Sequence, residues 1–400
     1  MPTPGGPRLL DDGDTMIKFG YIFFLFIAVS LVADISCNSK TIEYDEDRWL
    51  KALTNKKVLY VKPEKVAELK EQYKSPVLTY IDDKNLYIVN HDDQSLNIYT
   101  RNDLHLEFKF GGKGEGPGEF RRIQGFKVYK DFIFVNSMGK NSYFSKKGDL
   151  LKEFRTPPHL IPCYPLGNNF VTREHPGLSE RLPSNPYKNF KIVLIDANFK
   201  TKRVLFQKKL NISNVYNPKT GERESWLFPN YTFYRIYKDN IYIGCSSMES
   251  FFFTVFNSQG NKLYEIKRPY IKQKIPELIK KTIKKRQKKK NKQAIRKLEI
   301  KFYEYFPSFC NFEVADDKIF IFLYPTIDGQ RVLVLDLMGK LLDSNLIPFD
   351  LKYFEDNPAI KLWFNKIHNG KKYYIRDNAD TDKWELWSLK ICELDSTHKD

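Results

Sequence analysis

Four hundred residues with 66 Lys and Arg against 49 Asp and Glu give a formal charge of +17, and 42% of the chain is hydrophobic. That apolar content is enough for a sizeable core and excludes a chain disordered throughout. Aromatics reach 15%, with 24 Tyr and 31 Phe, and flat rings pack well on a pleated surface, so strands are favoured over helices.

The first fifteen residues carry Asp11, Asp12 and Asp14 and no apolar run, so an export signal is expected to start at Met16. Lys18 supplies a short basic region, Phe19 to Ala33 a fifteen-residue apolar core, and Ser36-Cys37 follows. The core is shorter than the roughly 20 apolar residues of a membrane span. The stretch resembles a bacterial lipoprotein signal, in which a small residue precedes a cysteine that is lipidated and becomes N-terminal, and it departs from that signal at Asp34. The resemblance implies export and lipidation of Cys37. Residues 1–36 then form a leader with its export signal, 37–54 a tether, 55–394 the folded domain and 395–400 a tail.

Beyond the tether one pattern recurs: a polar turn followed by an alternating aromatic and β-branched strand. It begins at Asp83, Lys130, Gly167, Lys238, Asp317 and Asn369. Each of the first five copies is followed by a second hairpin, clearest where Gly148, Gly260 and Gly339 supply the tight turn. Two hairpins make a four-stranded unit, and several such units are satisfied by radial packing. The sixth copy holds only three strands, which leaves an open edge, and Lys57–Val61 is expected to fill it. The fold class is therefore all-β, a six-bladed β-propeller closed by an N-terminal strand.

The glycine-rich stretch Gly111–Phe126 has neither the spacing of a P-loop nor that of a dinucleotide fingerprint, and it is read as the crossover from blade one to blade two. With Glu115-Gly-Pro-Gly-Glu-Phe120, the Gly-Lys second turns, and Tyr305-Phe-Pro-Ser-Phe309 leading into Asp316-Asp-Lys-Ile-Phe-Ile321, the chain resembles the bacterial six-bladed propeller lipoproteins related to NHL-repeat proteins. The resemblance covers roughly residues 55–394 and implies architecture rather than chemistry.

Two connections are long. Lys208–Asn230 reads as a surface loop. Residues 271–301 hold fourteen Lys or Arg against Glu277 and Glu299, a net +12. Ile275, Leu278, Ile279 and Ile283 fit helical spacing, as do Ile295, Leu298 and Phe302, so a basic helical insertion pinned at both ends is expected. Its middle is read as solvated, with an anionic membrane surface or polysaccharide as the partner it would suit best; export and the lack of interleaved aromatics disfavour nucleic acid.

Propeller geometry sorts the loops onto two openings. The crossovers and the loops after each second strand share one, where His91, Arg121, Arg122, Arg173, Glu174, His175, Arg376 and Asp377 are expected to form a mainly cationic ligand-binding mouth. The turns between first and second strands share the other, and His368 falls there. No catalytic residue and no metal site is assigned, and Cys163, Cys245, Cys310 and Cys392 are expected as free, mostly buried thiols. The functional reading is a tethered binding or scaffold protein for a protein, peptide or glycan, without cofactor. The alternative is a lyase or lactonase working in the central channel with Ca or Zn.

Overall fold

The computed structural model describes residues 40–41, 46–54, 59–70, 76–157, 159–174, 187–211, 214–216, 223–291, 298–349, 366–378, 381 and 383–392. The segment expected as export signal, Cys37, His175, Ile295 and the expected tail lie outside these residues.

Six antiparallel sheets are formed by consecutive strands. Blade one holds Pro76–Ile81, Asn85–Asn90, Ser95–Thr100 and Leu106–Gly111. Blade two runs from Ile123–Val128 to Leu150–Arg155, blade three from Leu160–Leu166 to Thr201–Asn211, and blade four from Thr232–Tyr237 to Lys262–Pro269. Blade five runs from Asn311–Ala315 to Leu341–Ile347, and blade six holds Lys366–His368, Lys371–Asn378 and Lys383–Lys390. Middle strands are buried on both faces, as in Ile133–Ser137, whereas an outer strand such as Leu150–Arg155 is largely exposed. That gradient follows from radial packing, because inner strands are covered by both neighbouring blades.

Among the described residues the apolar core divides into six clusters, and each fills one gap between neighbouring blades. Phe110, Phe126 and Phe144 lie between blades one and two, and Phe134 and Phe170 between two and three. Phe190 and Tyr234 join three to four, and Phe253 and Phe309 join four to five. Phe322 and Leu389 join five to six, and Tyr99 and Leu386 close six onto one.

An N-terminal strand does close blade six, but it is Glu64–Glu68, paired antiparallel with Lys383–Lys390. The expected segment, Lys57–Val61, lies one step upstream, with Leu59–Tyr60 pairing parallel to the outer strand of blade five. An outermost strand faces water and needs little apolar character, so Glu-Lys-Val-Ala-Glu serves without an alternation of large side chains. Within the segment read as a tether, Glu46–Thr54 is a helix. Its Trp49 is buried, donates Nε1–H to the Pro269 carbonyl at 2.7 Å and meets Phe251 edge-on.

Glu385 fastens the closing strand. It accepts from Lys65 Nζ at 2.8 Å, Asn378 Nδ2 at 2.9 Å and Trp387 Nε1 at 2.8 Å. These donors, Lys65 foremost, hold its carboxyl down to about 2 against an ordinary 4.5. A depressed carboxyl stabilises the fold above its unfolded value, and that stability is lost as pH falls from about 4.5 towards 2. Melting temperatures of wild type and Glu385→Gln between pH 5 and 2.5 are expected to converge as the pH drops, because the wild type alone loses this contribution; parallel curves would contradict it.

Strands from the two long connections pair in one small sheet. Asn214–Tyr216, Arg223–Leu227 and Leu298–Phe302 form a small sheet, the last two in parallel. The described residues of Lys208–Asn230 are thus mostly strand, the end of blade three's outer strand included, and Leu298 and Phe302 are strand residues rather than helical ones. Strand pairing between segments some seventy residues apart leaves no local periodic trace. The basic helix runs Glu277–Asn291, seated by Ile279 and Ile283 against blade five, with Lys281, Lys284, Lys285 and Lys288 exposed. The four cysteines after Cys37 are free and buried.

Candidate functional site

The crossover from blade one to blade two is built around Phe120, which is fully buried. Gly111 has φ +83°, and a Cβ there would lie 2.7 Å from the Phe120 ring, so only glycine combines that backbone with that close approach. Phe120 N–H donates to the Gly112 carbonyl at 2.7 Å. Further along, Lys140 Nζ donates to the Gly116 carbonyl at 2.8 Å and Gly118 N–H to Glu153 at 3.2 Å. The glycines therefore make a fixed loop tied to blade two.

Against this loop stands the turn after blade one's second strand. Gln94, with φ +57°, donates to the His91 carbonyl and accepts from Ile123 N–H at 2.7 Å, which locks turn and crossover together. Between them lies an open recess of about 380 Å³ lined by His91, Asp92, Gln94, Lys113, Arg121 and Arg122. Burial, then the neighbouring Arg122, pushes the His91 imidazole below its usual value, while Asp92 opposes this. Arg121 pairs with Glu115 at 2.7 Å, both well exposed. Lys113, Arg121 and Arg122 face Asp92 as the one carboxylate of the lining, an arrangement suited to an anionic group.

Of the residues expected at this opening, His91, Arg121 and Arg122 come together. Arg173 and Glu174 lie two blades from His91: the Arg173 guanidinium stacks over Phe190 at 4.8 Å, its Nε–H is buried without a hydrogen bond, and Glu174 pairs with Lys191 at 3.6 Å. Arg376 is exposed and lies over Trp387 at 5.6 Å. Asp377 is in the second strand of blade six, paired with Trp384 in the ladder. His368 sits at the other opening, where its Nε2 meets Asp83 at 2.9 Å across the closure from blade six to blade one.

A second group was not singled out in the sequence. Lys127, Arg235, Glu313 and Lys366 stand on the innermost strands of blades two, four, five and six. Their signal is a single charged residue in each short strand, as in Phe126-Lys127-Val128, Tyr234-Arg235-Ile236 and Phe312-Glu313-Val314. One charge per strand is also what an ordinary amphipathic strand shows, so its meaning appears only once the strands converge. Among the described residues no three His, Cys, Asp or Glu side chains gather as metal ligands would.

No protein-family signature and no curated protein matches the chain. Solved structures match it in fold. A candidate exported protein of Bacteroides fragilis is 14% identical with a TM-score of 0.49, covering 83% of this chain and 96% of that one. A streptogramin B lyase is 10% identical with a TM-score of 0.38 over 83% and 98% of the two chains. BamB from Moraxella catarrhalis is 10% identical with a TM-score of 0.28 over 77% and 70%. These likenesses concern the propeller fold alone.

Proposed function

We propose that the protein is a ligand-binding propeller of the bacterial cell envelope, tethered by lipid on Cys37, with the His91 to Arg122 mouth as its recognition face. The observation that carries the reading is the recess where a fixed glycine-rich crossover presents Lys113, Arg121 and Arg122 to solvent beside His91. A rigid scaffold that displays convergent polar groups lowers the ordering cost of binding, and its cations favour an acidic protein, peptide or glycan. The Met16 to Cys37 signal supports the envelope placement. The exposed lysines of Glu277–Asn291 offer a second contact to an anionic membrane surface, worth about 1 kcal/mol per cation near that surface.

Two measurements test this. Palmitate labelling is expected to mark the wild type and not Cys37→Ser, with the variant moving to the soluble fraction; equal label in both defeats the tether. In-cell cross-linking is expected to capture an envelope partner at least tenfold less from the Arg121→Glu, Arg122→Glu double variant. Capture that does not change would remove the mouth from recognition.

A further inference from the structure

The turns between first and second strands have the same length in every blade. They are closed by Asp82 with Asn85, Tyr129 with Phe132, Leu166 with Asn169, Tyr237 with Asn240, Ala315 with Lys318 and His368 with Lys371. Two residues back from each closing residue stand Tyr80, Lys127, Tyr164, Arg235, Glu313 and Lys366, one per blade and all partly buried. Equal register on six radially arranged inner strands makes them one layer around the channel. Lys127 confirms the convergence, since its Nζ donates at 2.9 Å to the Ile236 carbonyl two blades on.

The charges of this layer do not balance. Arg235 pairs with Glu313 at 3.0 Å and donates to Asn311 Oδ1 at 2.7 Å, so the one carboxylate is already engaged. Lys127 uses one of the three N–H bonds of an ammonium on Ile236. The Lys366 ammonium has no hydrogen bond or ion pair among the described residues, and its charge is felt by Glu313 and Arg235 only through space. Three cations with one anion leave the layer with an excess of positive charge that Asp239, acting on Lys127 through space, offsets only in part, and enclosing that excess is costly unless a further counter-charge joins it. Burial accordingly pushes Lys127 down to about 7 and lowers Lys366 as well. Solvent still reaches the layer, for the Arg235 side chain keeps 26% of its accessible surface.

We propose that this layer binds a small doubly charged oxyanion between Lys127, Arg235 and Lys366, with the chemistry shared by inorganic phosphate and short dicarboxylates. The site is separate from the His91 to Arg122 mouth: the layer lies two residues inside the opposite opening. The unused N–H groups of the two lysines and the partly exposed guanidinium supply the donors. Tyr164, which lies where a Cβ on Gly125 would collide with its hydroxyl at 2.4 Å, adds a neutral wall.

Isothermal titration of the purified protein at pH 7 with sodium phosphate and with sodium succinate, each against chloride at equal ionic strength, tests the proposal. One site per chain is expected for at least one of the two, and the arm that binds tells phosphate from dicarboxylate. The Lys127→Gln, Lys366→Gln double variant is expected to bind at least tenfold more weakly. Absence of binding in both arms, or unchanged affinity in the folded variant, overturns the site. Should the variant not fold, succinate affinity of the wild type from pH 6.5 to 9 decides. Lys127 faces Tyr129, Asp239 and the Ile236 carbonyl, and Lys366 faces Glu313 and Arg235. Loss of the Lys127 charge is expected to lower affinity at least tenfold over that range, and a flat profile overturns the proposal.

Discussion

Replacing Phe309 by alanine is expected to cost about 3–5 kcal/mol of unfolding free energy, as large aromatic truncations in cores do. Phe309 is fully buried where blade four meets blade five. Its ring stacks on Phe251 at 5.8 Å and on Phe253 at 5.5 Å, and meets Phe312 edge-on at 6.2 Å. The backbone is held separately: Ser246 Oγ donates to the Phe309 carbonyl at 2.6 Å and accepts its N–H at 3.3 Å. Those bonds survive truncation, so the loss reports side-chain packing between blades. Urea titration monitored by near-ultraviolet circular dichroism reads it, and a loss below about 1 kcal/mol would mean that this gap is not a packed interface.

Deleting residues 1–70 is expected to do more than lower stability, because it opens blade six. The deletion uncovers the Lys383–Lys390 edge, strips Lys65 from Glu385 and removes the buried Leu69, whose N–H donates to the Trp384 carbonyl at 2.8 Å. Burial of Leu69 alone accounts for about 1.5–3 kcal/mol. An unpaired strand edge templates association, so the truncated chain is expected to form concentration-dependent oligomers by light scattering. A chain shortened only to residue 62 keeps Glu64–Glu68 and is expected to stay monomeric. A monomeric 1–70 deletion with unchanged melting temperature would show that closure does not depend on this strand.

What was legible in the sequence follows from how each feature is encoded. The six units were readable because their turns repeat in one-letter chemistry: Gly148, Gly260 and Gly339 all hold positive φ at equivalent second hairpins. The crossover role of Gly111 to Phe120 was readable from its place between strands. The closing strand was misplaced because its solvent-facing residues carry no apolar alternation, and the parallel pairing of Arg223–Leu227 with Leu298–Phe302 was hidden because it joins distant segments. At the mouth, His91 and the arginines could be grouped by loop order alone. Arg173 could not, since it lies in the strand Asn169–Glu174 rather than in a loop, and its stacking on Phe190 is decided by the neighbouring strand. The channel layer was invisible for a related reason: Lys127, Arg235, Glu313 and Lys366 lie up to 239 residues apart, and their excess of positive charge exists only around the shared axis.

Lys127, Arg235 and Lys366 stand around that axis, where an anion is proposed to sit. Crystals of the wild-type protein soaked in selenate and measured at the selenium absorption edge test it directly. An anomalous peak bounded by Lys127, Arg235 and Lys366 is predicted; a channel without one, with selenate found only at exposed lysines, would contradict it.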